Sequence, residues 1–134
     1  KLITKMRKYD AIIIPAALSD FIPKKTKGKL NSSKPVNLEM KKAPKIIESV
    51  RKKHNGLLYA FKLGAKISDQ ELVEKAQSLL KNADCVIANH SEVMGSDKGK
   101  FAIVNKKNTE WITTKKDTLS RKILEKIALE LKTK

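Results

Sequence analysis

Short apolar runs alternate along this chain with stretches of helical period, and that alternation constrains the fold more than any single motif. Residues 11–14, 57–63 and 85–88 are apolar runs short enough to be buried strands. Amphipathic segments lie between them. Pro44 suits the first turn of a helix, Ile46, Ile47 and Val50 give that helix one apolar face, and Asn55-Gly56 supplies a stop signal. Ser68 and Glu71 have the spacing of a capping box, and Leu72, Val73, Ala76, Leu79, Leu80 and Ala83 follow at helical spacing. Residues 101–104 and 111–113 flank a turn at Asn108 and predict a hairpin. A closing helix from Asp117 turns Ile123, Leu124, Ile127, Ala128 and Leu131 inward. The polar stretch 22–37 reads as an exposed flap, with Val36, Leu38 and Met40 alternating as a short half-exposed strand. Strands and helices in this order predict an α/β fold: a Rossmann-like three-layer αβα domain with a mostly parallel sheet, a flap insertion and a C-terminal hairpin.

Composition narrows the class further. The 134 residues make one domain of ordinary size, 1–134, and 40% hydrophobic content supplies a core that must be aliphatic, since aromatics are only 4%. The single cysteine, Cys85, excludes an internal disulfide, and its apolar surroundings predict a buried, inert thiol. His54 and His90 show no ligand spacing, which argues against a structural metal. No apolar run approaches the roughly 20 residues that span a bilayer, and no secretory pattern is present. The opening KLITKMRKYD reads as the last turns of a helix, so a preceding segment is expected. The net charge of +16 is spread along the chain without an RNA-binding aromatic motif or a zinc pattern. It is read as a lysine-rich solvated surface. A basic module contacting nucleic acid and a silent nucleotide-binding fragment stay open as alternatives.

The residues 10–30 are the most informative for chemistry. A strand runs into Ala16 and Ala17, then Asp20-Phe21, then Lys24, Lys25, Lys27 and Lys29. Alanines let backbone approach a ligand closely, an acid can hold a cation, and clustered ammonium groups meet phosphates. Ligands on open α/β sheets bind beyond the carboxyl ends of the strands. Three exits carry small or polar residues there: 17–21, Phe61-Lys62 and Asn89-His90.

Taken in order, Ala16-Ala17-Leu18-Ser19-Asp20-Phe21, Lys27-Gly28-Lys29-Leu30, Ala60-Phe61-Lys62, the spacing from Lys81 to Asp84, Ala88-Asn89-His90 and the turn from Gly95 to Lys98 resemble phosphopantothenate–cysteine ligase, in an archaeal-like branch. The resemblance covers nearly the whole chain. It implies a ligase of coenzyme A biosynthesis that activates 4′-phosphopantothenate as an acyl-nucleotidylate and joins it to cysteine. It implies Mg²⁺ and a nucleoside triphosphate, CTP or ATP, as co-substrate. FMN is implied only in a fused or associated upstream flavin decarboxylase, and the family's glycine-rich phosphate loop is expected upstream of Lys1. By the same resemblance Lys29 is the catalytic flap lysine, and Ala17, Asp20, Phe21, Lys27, Phe61 and Lys81 contact the nucleotide. Asp20 is the metal-binding acid, and Lys62 and Asn89 contact substrate. A cytoplasmic homodimer pairing through the 22–40 flap is implied as well. The chain departs from the bacterial pattern at Ala43-Pro44-Lys45 and at Gln77, which leaves CTP or ATP open.

Overall fold

The computed structural model describes residues 8–15, 20–25, 28, 33 and 35–133. In chain order the elements are β1 (Ala11–Ile14), β2 (Phe21–Pro23), β3 (Met40–Lys42), α1 (Ile46–Arg51), β4 (Leu57–Gly64), α2 (Asp69–Leu79), β5 (Cys85–His90), a 3₁₀ turn (Ser91–Val93), β6 (Lys98–Asn105), β7 (Thr109–Lys115) and α3 (Lys116–Lys132). Among the described residues five strands form the main sheet in the order β1-β4-β5-β6-β7, and β2 and β3 form a separate two-stranded ribbon. β1, β4 and β5 pair in parallel, while β6 is antiparallel to both β5 and β7. Four of the five strands therefore point the same way and only β6 opposes them. The sheet is mixed and mostly parallel, and the C-terminal hairpin is present.

Period-two alternation divides the core between the two faces of the sheet. Leu57, Tyr59, Cys85, Ile87, Phe101 and Ile103 face Leu119, Ile123 and Ile127 of α3. Ala60, Val86, Ala88, Ala102 and Val104 face Leu72 and Ala76 of α2, with Ile47 of α1 and Trp111 packed beside them. Helices thus cover both faces. Side chains such as Leu58, Leu72 and Ile87 are fully buried, each worth about 1.5–3 kcal/mol of hydrophobic stabilisation. The α3 interface corrects the sequence expectation. Its buried stripe is Leu119, Ile123 and Ile127, whereas Leu124 is 58% exposed and Ala128 and Leu131 also face outward.

Three further expectations change. α1 ends at Arg51, and its N-cap is Lys45, so Pro44 lies just outside the helix. Gly56 is needed for a different reason than stopping a helix: a Cβ there would come within 2.2 Å of the Asp10 carbonyl oxygen. The same carbonyl accepts from Leu57 N–H at 2.8 Å, which starts the β1–β4 pairing. The flap strand sits at Met40–Lys42 and leaves Val36 and Leu38 outside it, although all three are exposed as expected. β4 continues to Gly64, so Phe61 and Lys62 lie inside the strand and not at its exit. Residues 16 and 17, expected to continue β1, lie outside the described residues.

The start of β4 and the start of β5 are stitched together by one ion pair. Arg51 Nη2 donates to Asp84 Oδ2 at 2.9 Å, and Arg51 Nε donates to the Asn82 carbonyl at 3.0 Å. The same Asp84 oxygen accepts from Leu58 N–H at 2.8 Å. Tyr59 lies across the sheet from this network, its hydroxyl donating to Glu130 of α3 at 3.1 Å.

Candidate functional site

The carboxyl ends of β4 and β5 point to one edge of the sheet, and the entry to β6 and the exit of β7 meet them there. The pleat sorts the residues at this edge. Phe61 pairs with Ile87, and Asn89 is two residues further along the same face, so Phe61 and Asn89 are diagonal neighbours on the α3 side. Lys62 pairs with Ala88 and so lies on the α2 side, with His90 two residues beyond. Sequence neighbours read as single strand exits are thereby placed on opposite faces. Phe61 is half-buried and packs against the α3-side core beside Val93 and Ile112. Asn89 is half-buried, and its Nδ2 donates to the His90 carbonyl at 2.9 Å.

On the α2 side the edge carries a cluster that sequence reading missed. Asp69, the first residue of α2, bonds His90 Nε2 through Oδ1 at 2.8 Å, and Lys100 of β6 donates to its Oδ2. The Lys100 ammonium sits 4.3 Å from the centroid of the Trp111 ring, in cation–π range. Lys100, and after it His90, hold the Asp69 carboxyl below the usual carboxylate range. Beside this cluster a groove of about 450 Å³ runs between α2 and β7, lined by Asp69, Gln70, Val73, Glu74, Gln77, Thr109 and Trp111. The N-terminus of α2 is already satisfied by its own side chains. Ser68 Oγ accepts from Glu71 N–H at 3.2 Å, and Glu71 Oε2 accepts from Ser68 N–H at 3.0 Å. With Asp69 and Glu71 both in the first turn, this helix start does not favour a phosphate.

The other site residues expected from sequence are dispersed. Asp20 is exposed at the base of the ribbon, its carbonyl accepting from Ala43 N–H at 2.9 Å. Phe21, next in the ribbon, is 51% exposed. Lys81 is exposed in the turn between α2 and β5, at the amino-terminal edge, far along the sheet from Asn89. Ala17, Lys27 and Lys29 lie outside the described residues. Gly28, between those two lysines, has φ +93°, a backbone state that glycine alone adopts without strain. A larger cleft of about 570 Å³ opens at the amino-terminal edge, between Tyr9, Asp10 and the 52–56 turn. Its volume exceeds that of the groove, but it lies away from the strand ends at which such sheets hold ligands. Among the described residues no three His, Cys, Asp or Glu side chains gather to hold a metal ion. Asp20 alone fits only a cation carried chiefly by ligand phosphates. No helix among the described residues is long and apolar enough to cross a membrane.

The architecture is that of an open α/β domain with its candidate ligand edge at the strand ends. The chain belongs to the DNA/pantothenate metabolism flavoprotein C-terminal domain family, which it matches over residues 1–131. It is similar to the coenzyme A biosynthesis bifunctional protein CoaBC of Thermococcus kodakarensis, 34% identical over 106 residues, covering 76% of this chain and 26% of that protein. The CoaBC protein of Methanocaldococcus jannaschii is 31% identical over 132 residues, covering 95% of this chain and 33% of that protein. The chain therefore spans about a quarter to a third of the length of these two relatives. The crystal structure of the DNA/pantothenate metabolism flavoprotein from Streptococcus pneumoniae superposes with a TM-score of 0.79 at 27% identity, over 96% of this chain and 67% of that one. A Cab2 mutant in complex with phosphopantothenate-cysteine shares the fold at a TM-score of 0.56 and 18% identity, over 74% of this chain and 34% of that one.

Proposed function

We propose that this domain ligates 4′-phosphopantothenate and cysteine, using CTP or ATP with Mg²⁺, to give 4′-phosphopantothenoylcysteine for coenzyme A biosynthesis. The observation that carries the reading is the family match over residues 1–131, supported by two CoaBC relatives above 30% identity. A carboxylate is a poor electrophile, so it must first be activated. The pantothenate carboxylate attacks the nucleotide α-phosphate and pyrophosphate leaves. The cysteine amine then attacks the acyl carbon, an amide forms, and the nucleoside monophosphate leaves. In the first step an anion approaches a polyanion, so catalysis rests on positioning and charge neutralisation.

Lys29, with Lys27 beside it, is assigned to the triphosphate, and Ala17, Asp20 and Phe21 to the nucleotide. Phe61 and Lys81 are assigned to the nucleotide as well, and Lys62 and Asn89 to substrate. A magnesium ion held by the phosphates and Asp20 would withdraw charge from the triphosphate. Flavin chemistry belongs to the decarboxylase portion of a bifunctional protein and uses no residue of this domain. Phe21 and Met40 expose about half their surface on the ribbon, and Val36 and Leu38, just ahead of it, are similarly exposed. An apolar ribbon of that kind supports a homodimer paired through the 22–40 flap.

The test is pyrophosphate release by the full-length protein. Wild type is expected to release it only with 4′-phosphopantothenate present, and Lys29→Ala to lose release by 100-fold or more while keeping its melting temperature. That loss corresponds to about 2.7 kcal/mol or more of lost transition-state stabilisation. Release independent of 4′-phosphopantothenate would contradict the reaction, and undiminished release by the variant would remove Lys29 from it.

A further inference from the structure

β7 ends the five-stranded sheet, and among the described residues only β6 pairs with it. The turn before β7 decides which of its backbone groups face outward. Asn105 N–H donates to the Asn108 carbonyl at 3.0 Å, so 105 and 108 are a hydrogen-bonded pair. Hydrogen-bonded and non-hydrogen-bonded pairs alternate along an antiparallel ladder. Glu110, Ile112 and Thr114 therefore turn their backbone groups to β6, and Thr109, Trp111, Thr113 and Lys115 turn theirs away from it. Among the described residues none bonds these outward groups.

Such an edge is usually protected by a proline, a bulge, an inward charge or a covering segment. The β6–β7 register runs unbroken from Lys98 and Lys115 to Val104 and Thr109, so the pairing carries no bulge. Trp111, Ile112, Thr113 and Thr114 bring neither charge nor proline, and all are residue types that favour strands. The middle of this seven-residue edge is a template for another strand.

The sequence of β7 selects a second copy of itself. Antiparallel pairing of all seven residues places a two-fold axis at Ile112. Outward backbone groups then meet outward groups, Trp111 with Thr113 and Thr109 with Lys115. Ile112 meets Ile112 of the second copy, and Glu110 meets Thr114, so no like charges stand opposite each other. Lys115 of the second copy comes opposite Thr109, which lines the groove beside Glu74 and Gln77. That groove carries Asp69 and Glu74 and no basic residue among its described lining, in a chain with 30 Lys and Arg against 14 Asp and Glu. Asp69 is already paired, whereas Glu74 accepts only from Gln70 Nε2 at 3.1 Å and has no ion-pair partner among the described residues.

We propose that β7 is an isologous interface. Two copies pair edge to edge about Ile112, join their main sheets into one, and bring Lys115 of each to the Glu74 groove of the other. The surface shares no residue with the 22–40 flap, so this pairing adds to a flap pairing and does not replace it.

The experiment is disulfide trapping in the full-length protein, read on non-reducing gels after mild oxidation beside wild type, whose Cys85 is only 1% exposed. Ile112 faces its copy in a non-hydrogen-bonded pair, where Cα atoms stand about 4.5 Å apart, within disulfide reach. Ile112→Cys is expected to shift most of the protein to a covalent dimer. Glu110→Cys is not, because the two 110 positions lie four residues, roughly 14 Å, apart along the ladder. Adding Thr114→Cys to Glu110→Cys is expected to restore the dimer, and this double variant carries the test where Ile112→Cys fails to fold. Glu74→Lys in the Ile112→Cys background is expected to lower the dimer yield. Trapping by Glu110→Cys alone, or no trapping above wild type by either Ile112→Cys or the double variant, would overturn the interface. A yield unmoved by Glu74→Lys would overturn the part given to Lys115 and the groove.

Discussion

Cys85 shows how one residue's surroundings decide its chemistry. Its side chain is 1% exposed between Tyr59 and Ile87 on the α3 face of the sheet. Burial pushes the thiol up from an ordinary 9.0 to about 11, so it stays a neutral, weakly nucleophilic thiol at neutral pH. Burial, with the Glu130 carboxylate beside it, pushes the Tyr59 hydroxyl up as well. A folded-state value above the unfolded one means that the contribution to stability is complete below the unfolded value and is lost as pH rises through the folded one. Stability should therefore hold to about pH 9 and fall between there and about pH 11. In urea melts, Cys85→Ala should be less stable at pH 7 but lose on the order of 1–2 kcal/mol less between pH 8 and 10.5. Parallel pH profiles would contradict the assignment. The inert thiol is legible in sequence because Val86, Ile87 and Ala88 make its run apolar. The Asp69–His90–Lys100 brace is not, because its contacts join residues 21 and 31 positions apart, and no local spacing announces such a contact.

Among the elements, α2 is the one whose sequence signals all agree. Its capping box forms in both halves, and Leu72 and Ala76 are buried at the predicted spacing. Ser68→Ala removes the acceptor for Glu71 N–H and should cost about 1 kcal/mol in a denaturant melt, without moving the slope. An unchanged midpoint would mean that the box contributes nothing to the helix. The strands of the main sheet were legible as elements, because runs such as 57–61 and 85–88 are apolar on both faces and must be covered on both sides, whereas the flap strand and the end of β4 were not. α3 was legible as a helix but not in rotation. Leu119, Leu124, Leu129 and Leu131 place leucine around much of its circumference, so the period alone does not choose the buried stripe. α1 read as longer than it is because Gly56 looks like a helix stop, whereas its place is set by the Asp10 backbone passing over it. The candidate site was legible as a region, through the polar residues that end β5, but not as a geometry. Phe61-Lys62 reads as one feature in a sequence, and the pleat sends its two side chains to opposite faces.

At the scale of the whole molecule, the sheet, its two helical layers and the ribbon divide the proposed task. Parallel β1, β4 and β5 bring their carboxyl ends to one edge, and the Asp69 brace fixes that edge on its α2 side. In the proposed reaction the lysines of the flap would supply the charge that a triphosphate requires, as part of a net charge of +16 spread along the whole chain. Such a division predicts a particular bond-making order, in which the carboxylate is activated on the α-phosphate before the amine attacks. The most direct measurement is product analysis with 4′-phosphopantothenate carrying ¹⁸O in its carboxylate, together with cysteine, Mg²⁺ and either CTP or ATP, using the full-length protein. The expected products are 4′-phosphopantothenoylcysteine, pyrophosphate and a nucleoside monophosphate carrying one ¹⁸O atom. Transfer of ¹⁸O to inorganic phosphate with release of a nucleoside diphosphate would contradict it, as would the absence of the amide product.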